Sequence, residues 1–229
     1  MMRQAAADKP GLAQAIGSIK HFQARRFAGT YFDLLRSNEY QAAALFFLEE
    51  LYSDKDYSQR DAQFARIAGA LESVFPQQVV QTAVSLGQLH RLTEELDLGM
   101  AENWMAHEDM PEVARYMRAW RSVGRRADRE TQLTTVLDIG HELNRLTRTP
   151  GLRVMLRMMR GPARLAGMTA LQQFLESGFD TFAEMGGQSN GARHFLATVK
   201  ERESKLIDQL FDSDAIACET EIKRILGQS

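Results

Sequence analysis

Apolar residues recur at intervals of three and four along nearly the whole chain, and no stretch alternates over the length of a strand. That period belongs to helices buried along one face. Leu12, Ile16, Ile19, Phe27, Tyr31 and Leu34 mark a first face, opened by Asp8 and Pro10. Tyr40, Ala44, Phe47, Leu48 and Leu51 mark a second, with Ser37 as its cap. Ser58-Gln-Arg-Asp61 has capping-box spacing and opens a third helix through Phe64, Ile67, Leu71 and Val74, stopped by Pro76. A long helix is expected from about Gln78 to Met105, with Gly87 and Gly99 as its weak points.

The same reading carries on to the C-terminus. Asp109 and Pro111 open a helix that Gly124 closes, and another runs from about Asp128 to Thr147. A short helix from Leu152 is expected to end at Gly161-Pro162, and a longer one to run from Ala163 to Met185. The glycine-rich MGGQSNG, ending at Gly191, reads as a loop over 186–191. Phe195, Val199, Leu206 and Leu210 mark one more helix, and Ser213 is placed as the cap of a last one. The expectation is an all-α fold: a single-domain bundle of about nine or ten helices over 1–229, with no sheet. Residues 1–9 are expected to be flexible.

Residues 46–52, FFLEELY, set two phenylalanines against a highly charged run. On a helix, Phe47, Leu48 and Leu51 share one face, while Glu49 and Glu50 point away. SDKDYS then forms the turn. FFLEELY with SDKDYSQRDAQFARI resembles the signature of a bacterial family known by that motif. HRLTEELD (90–97), YMRAWRSVGRRADRETQL (116–133) and LRMMRGPARLAGMTALQQFLESGF (156–179) resemble its other landmarks. The resemblance covers most of the chain and implies a helical fold in Gram-negative bacteria. It brings no activity and no functional residue with it.

Composition narrows the chemistry. Cys218 is the only cysteine, which excludes an intrachain disulfide, a four-cysteine zinc site and an iron–sulfur cluster. The N-terminus has no apolar run of signal-peptide type, and no run of about 20 apolar residues exists to span a membrane. A cytoplasmic protein without a membrane partner is expected. The net charge of −2 conceals an asymmetry. Val113 to Leu165 holds 12 arginines, no lysine and 4 acids, a balance of +8, which leaves −10 for the rest of the chain.

Arg153, Arg157, Arg160 and Arg164 are spaced four, three and four, and Arg118 and Arg125 belong to a similar series. Guanidinium forks at such spacing suit carboxylates or phosphates of a partner. Pairing with this chain's own acids, or bracing of a helix C-terminus, is the competing reading. A sequence pI near 6.2 weighs against a dedicated nucleic-acid binder.

Leu86-Gly87-Gln88-Leu89-His90 has the form that precedes the haem-ligating histidine of some globins, which makes His90 the candidate iron ligand of an alternative haem-sensor reading. Asp138 and His141 have the spacing of one half of a di-iron site, but no second pair accompanies them. His141-Glu142 lacks the second zinc-protease histidine, since position 145 is Arg. No phosphate loop or nucleophile elbow is present. The leading expectation is therefore a non-enzymatic helical interaction or regulatory module, without cofactor or metal, that self-associates or docks a protein partner. Haem or another apolar ligand at His90, and anion or nucleic-acid binding at the arginines, are the alternatives.

Overall fold

The computed structural model describes residues 10–50, 77–165, 167–186 and 190–228. Among them no residue is in a strand. The fold is all-α, a multi-helix bundle. Helix α1 spans Leu12–Thr30, α2 Phe32–Leu35, α3 Gln41–Glu50, α4 Gln77–Met105, α5 Glu112–Val123 and α6 Arg126–Leu146. Then follow α7 Leu152–Met158, α8 Arg160–Leu165, α9 Thr169–Gly186, α10 Gly191–Asp212 and α11 Ala215–Ile225. Leu51, Tyr52, the capping box at Ser58–Asp61 and the helix expected through Phe64 to Val74 lie outside the described residues, as do 1–9 and 187–189 of the expected loop.

The apolar period accounts for most elements. Helix α4 is unbroken through Gly87 and Gly99 and extends about 43 Å at 1.5 Å per residue. Burial of Val79, Val80, Ala83, Leu86, Leu89, Leu96 and Met100 outweighs the propensity lost at two glycines. Gly124 closes α5 at φ 64°, as its position predicts. The Ser37 hydroxyl accepts from the Glu39 and Tyr40 amides ahead of α3.

Two boundaries differ from the reading of the sequence. Gly161-Pro162 does not end a helix, because both lie inside α8. Pro162 sits in the first turn, where its missing N–H costs no bond. The helix from Leu152 ends earlier, at Met158, and the helix expected from Ala163 starts only after Gly167, which separates α8 from α9 in the left-handed region at φ 70°. The cap of α11 is Asp214, not Ser213, since its Oδ1 accepts from the Ile216 amide at 2.9 Å and the Ala217 amide at 3.2 Å.

Helices α4 and α6 form the centre, and α1, α5 and α10 pack on them. Helix α9 lies against α3, α6 and α7. The core divides into two apolar clusters. One gathers Phe46 and Phe47 of α3 with Leu86, Leu89, Val136, Leu143, Phe174, Phe182 and Phe195. Phe47 meets Phe195 edge-on at 5.1 Å, and Phe46 lies 5.2 Å from Phe174. This answers the question of the paired phenylalanines, since both rings are buried while Glu49 is exposed. The other cluster gathers Leu12, Ile19, Phe22, Met100, Trp104, Tyr116, Trp120, Leu206, Leu210 and Ile222.

Helix α11 closes the second cluster through a near contact of backbones. A Cβ on Gly29 of α1 would lie 1.9 Å from the Ile225 carbonyl oxygen, so only glycine lets the two helices meet. Gly29→Ala is expected to lower stability by about 1–3 kcal/mol, the usual cost of overpacking. Urea unfolding checks this, and an unchanged midpoint would show that the helices part without cost.

Candidate functional site

The arginines expected to meet an anionic partner separate into distinct roles. Helices α7 and α8 bury Leu152, Leu156 and Ala163. Their outer side is apolar at three positions: Val154 is 61% exposed, Met158 73% and Leu165 90%. Arg153, Arg157, Arg160 and Arg164 are exposed among these residues. Arg153 Nη2 lies 2.9 Å from Asp180 Oδ1. Arg160 Nε donates to both carboxylate oxygens of Glu176 at 2.9 Å. Those bonds hold the Glu176 carboxyl below its ordinary range. Arg157 and Arg164 make no hydrogen bond or ion pair with the described residues.

Arg118 and Arg125 are engaged within the chain. Arg118 Nε donates to His107 Nε2 at 2.7 Å, which places the His107 proton on Nδ1, where it meets the Asn103 carbonyl at 3.0 Å. Arg125 pairs with Asp128 at 2.5 Å and reaches Glu95 at 3.5 Å. Their neighbours brace helix ends. Arg115 Nε donates to the Trp104 carbonyl near the end of α4, and Arg121 caps the end of α10 through the Leu210 and Ser213 carbonyls, all at 2.7 Å.

His90 lines a cavity between the helices, with Nε2 3.9 Å from Glu94 Oε1 one turn on. The cavity measures about 70 Å³. Pockets for drug-sized ligands run from roughly 300 to 1,000 Å³. A porphyrin at His90 would require α4 and α6 to part. Asp138 and His141 are exposed on the outer side of α6. Cys218 is buried in the second cluster, where burial pushes its thiol up, while His194 lies beside Tyr40 at the first. The structure does not bring those two together.

Between the two apolar clusters lies a layer of buried polar groups. Arg26, Asp97, Arg129 and Glu203 are each at most 6% exposed. Arg26 Nη1 meets Glu203 Oε1 at 2.6 Å, and the Tyr31 hydroxyl donates to the same oxygen at 2.9 Å. Gln23 Nε2 donates to Asp97 Oδ1 at 3.0 Å. The Arg129 guanidinium lies over the Trp120 ring, 4.0 Å from its centroid. Burial pushes the Asp97 carboxyl up, against the opposing pull of Arg129 and Gln23. The layer thus draws on α1, α2's flank at Tyr31, α4, α5, α6 and α10.

A family model described as "Domain of unknown function (DUF8198)" matches residues 2–216. The chain belongs to this family. No curated protein and no solved structure matches it. In this DUF8198 chain the four buried charges went unread in the sequence, yet the period held a sign of them. The apolar series of α1 skips from Phe22 to Phe27, and that of α10 from Val199 to Leu206. Arg26 and Glu203 occupy the missing core positions, four residues beyond Phe22 and Val199.

Asp97 gives this layer a pH signature. Its folded pKa is raised, so folded protein holds the proton more tightly than unfolded chain. Its stabilising contribution is full below the ordinary value of 3.8 and is lost as pH rises through the folded value. The stability of wild type minus that of Asp97→Asn is expected to fall as pH rises from about 4 towards neutrality. Urea titrations at several pH values check it, and a difference independent of pH would contradict it.

Proposed function

We propose that the protein is a cytoplasmic, non-enzymatic interaction module that docks an acidic protein segment on the outer face of α7 and α8. The carrying observation is the interleaving of Val154, Met158 and Leu165 with arginines, two of which make no pair among the described residues. Exposed apolar side chains rimmed by charge are the usual make-up of a docking surface. Arg153 and Arg160 already bind carboxylates of α9, so this face is suited to acidic groups. A symmetric dimer through it would set the arginines of one copy against those of the other, which favours a different chain as occupant. A nucleic acid gains little from Val154, Met158 and Leu165, because base stacking calls for aromatic rings. We also infer that the family is the bacterial one known by the FFLEELY run.

A photo-crosslinker at position 158 in the native cell tests the reading. It should yield a discrete adduct to an acidic segment of another protein. The Arg157→Glu/Arg164→Glu variant should lower the yield about tenfold or more, since opposing like charges cost more than 1.4 kcal/mol. Adducts no more abundant than from a crosslinker at Val84, exposed on α4, would overturn the proposal. So would adducts that survive the charge reversal, or that form with nucleic acid or a second copy.

A further inference from the structure

Neither the docking face nor the helix packing accounts for the cavity of about 70 Å³ beside the buried polar layer. The charges around it are already matched. Arg26 pairs with Glu203, and the buried Asp97 of the same layer opposes Arg129. An occupant that brought a further charge would have no counter-charge, in a place where an unbalanced charge costs heavily. Much of the remaining wall is aliphatic, from Leu86, Leu89, Val136, Leu206 and Ile207. Trp120 also lines the cavity. It is 7% exposed, and its Nε1 is buried with no hydrogen-bond partner among the described residues. We propose that this cavity binds a small neutral carbonyl compound, a short-chain ketone, whose oxygen accepts from the Trp120 indole N–H and whose alkyl chain lies against Leu86, Leu89 and Val136.

The chemistry of the wall selects that class. A buried donor without an acceptor is uncommon and costly, and a carbonyl oxygen satisfies it. Among the described residues, no side-chain acceptor of the lining is buried without a donor. An alcohol, an amide or an acid would bring an O–H or N–H for which no such acceptor stands open, whereas a ketone brings an acceptor alone. Water fits less well, because a buried water makes about three hydrogen bonds and the aliphatic wall offers none. Size sets the last limit. At roughly 10–15 Å³ for each water-sized centre the space suits about five or six non-hydrogen atoms, the size of 2-butanone. Entry is by the half-buried His90, Thr93 and Gln132, where Gln132 Nε2 donates to Thr93 Oγ1 at 2.7 Å between α6 and α4.

The test titrates the full chain, near neutral pH, with 2-butanone, with sodium butyrate and with 2-heptanone. The indole N–H signals of Trp104 and Trp120 in a heteronuclear NMR spectrum and the thermal midpoint are the readouts. 2-Butanone is expected to move the Trp120 signal saturably, with a midpoint in roughly the millimolar range for so small a ligand, and to leave that of Trp104 in place. It is also expected to raise the thermal midpoint. Butyrate, which carries a charge, is expected to do neither. 2-Heptanone is too long for the space and is expected to bind about fivefold more weakly or worse, although unspecific partitioning would favour the longer chain. Trp120→Phe should keep or raise the stability of the free protein, because it removes an unsatisfied donor, and should weaken 2-butanone binding about fivefold. Absence of a saturable effect with 2-butanone up to about 50 mM, the result of a cavity that holds only water, would overturn the proposal. So would equal binding of butyrate, tighter binding of 2-heptanone, or a folded Trp120→Phe variant that binds 2-butanone as tightly as wild type. The three wild-type titrations decide the matter even if that variant fails to fold.

Discussion

The ion pair between Arg26 and Glu203 is the constraint around which the bundle is arranged. Both side chains are nearly inaccessible to water, and each is stranded in a core position if the other moves away. An isolated buried charge costs several kcal/mol, so α1 and α10 have one favourable register in which the two groups meet. Tyr31 reinforces that register by donating to the same carboxylate oxygen. Asp97 and Arg129 bring α4 and α6 into the same layer. The apolar clusters on either side supply most of the stabilisation, but hydrophobic packing alone tolerates sliding of one helix along another. The polar layer does not, because a shift of one turn would leave its members without partners.

The arginine-rich middle of the chain takes its meaning from this arrangement. Arg115 and Arg121 close the ends of α4 and α10, and Arg126 joins α6 to Asp208 and Asp212 of α10. Arg129 enters the core. The excess positive charge of the segment is therefore spent largely against the chain's own carbonyls and carboxylates. What remains outward is the face of α7 and α8, where short helices leave apolar side chains uncovered. Folding and docking thus draw on the same residue type at different depths, and depth decides which role each arginine serves.

Much of the helical layout was legible from periodicity, because burial of one face dominates helix formation in a chain of this length. The extents of α4 and α5 and the inward placement of Phe46 and Phe47 follow from spacing alone. Pro162 misled because proline breaks a helix interior but suits its first turn, and the sequence does not show which applies until the start is known. Asp214 and Ser213 are both good caps, and one residue of backbone direction chooses between them. The buried charges were the largest omission. They appear in the sequence only as vacancies in an apolar series, and a charged residue at such a position is ordinarily taken for solvent-facing. Pairing across 177 residues between Arg26 and Glu203 resolves the matter only in three dimensions. The cavity has no linear signature, since its walls come from five helices.

The central claim, that Arg26 and Glu203 are retained as a mutually compensating pair, is tested most directly by a double-mutant cycle measured by urea unfolding. Glu203→Leu leaves Arg26 buried without its carboxylate and is expected to cost about 3–5 kcal/mol. Adding Arg26→Met removes the stranded charge, while Tyr31 retains the Val199 carbonyl as an acceptor, so the double variant is expected to recover most of that loss. Strictly additive losses, or a Glu203→Leu variant within about 0.5 kcal/mol of wild type, would show that the pair does not constrain the bundle.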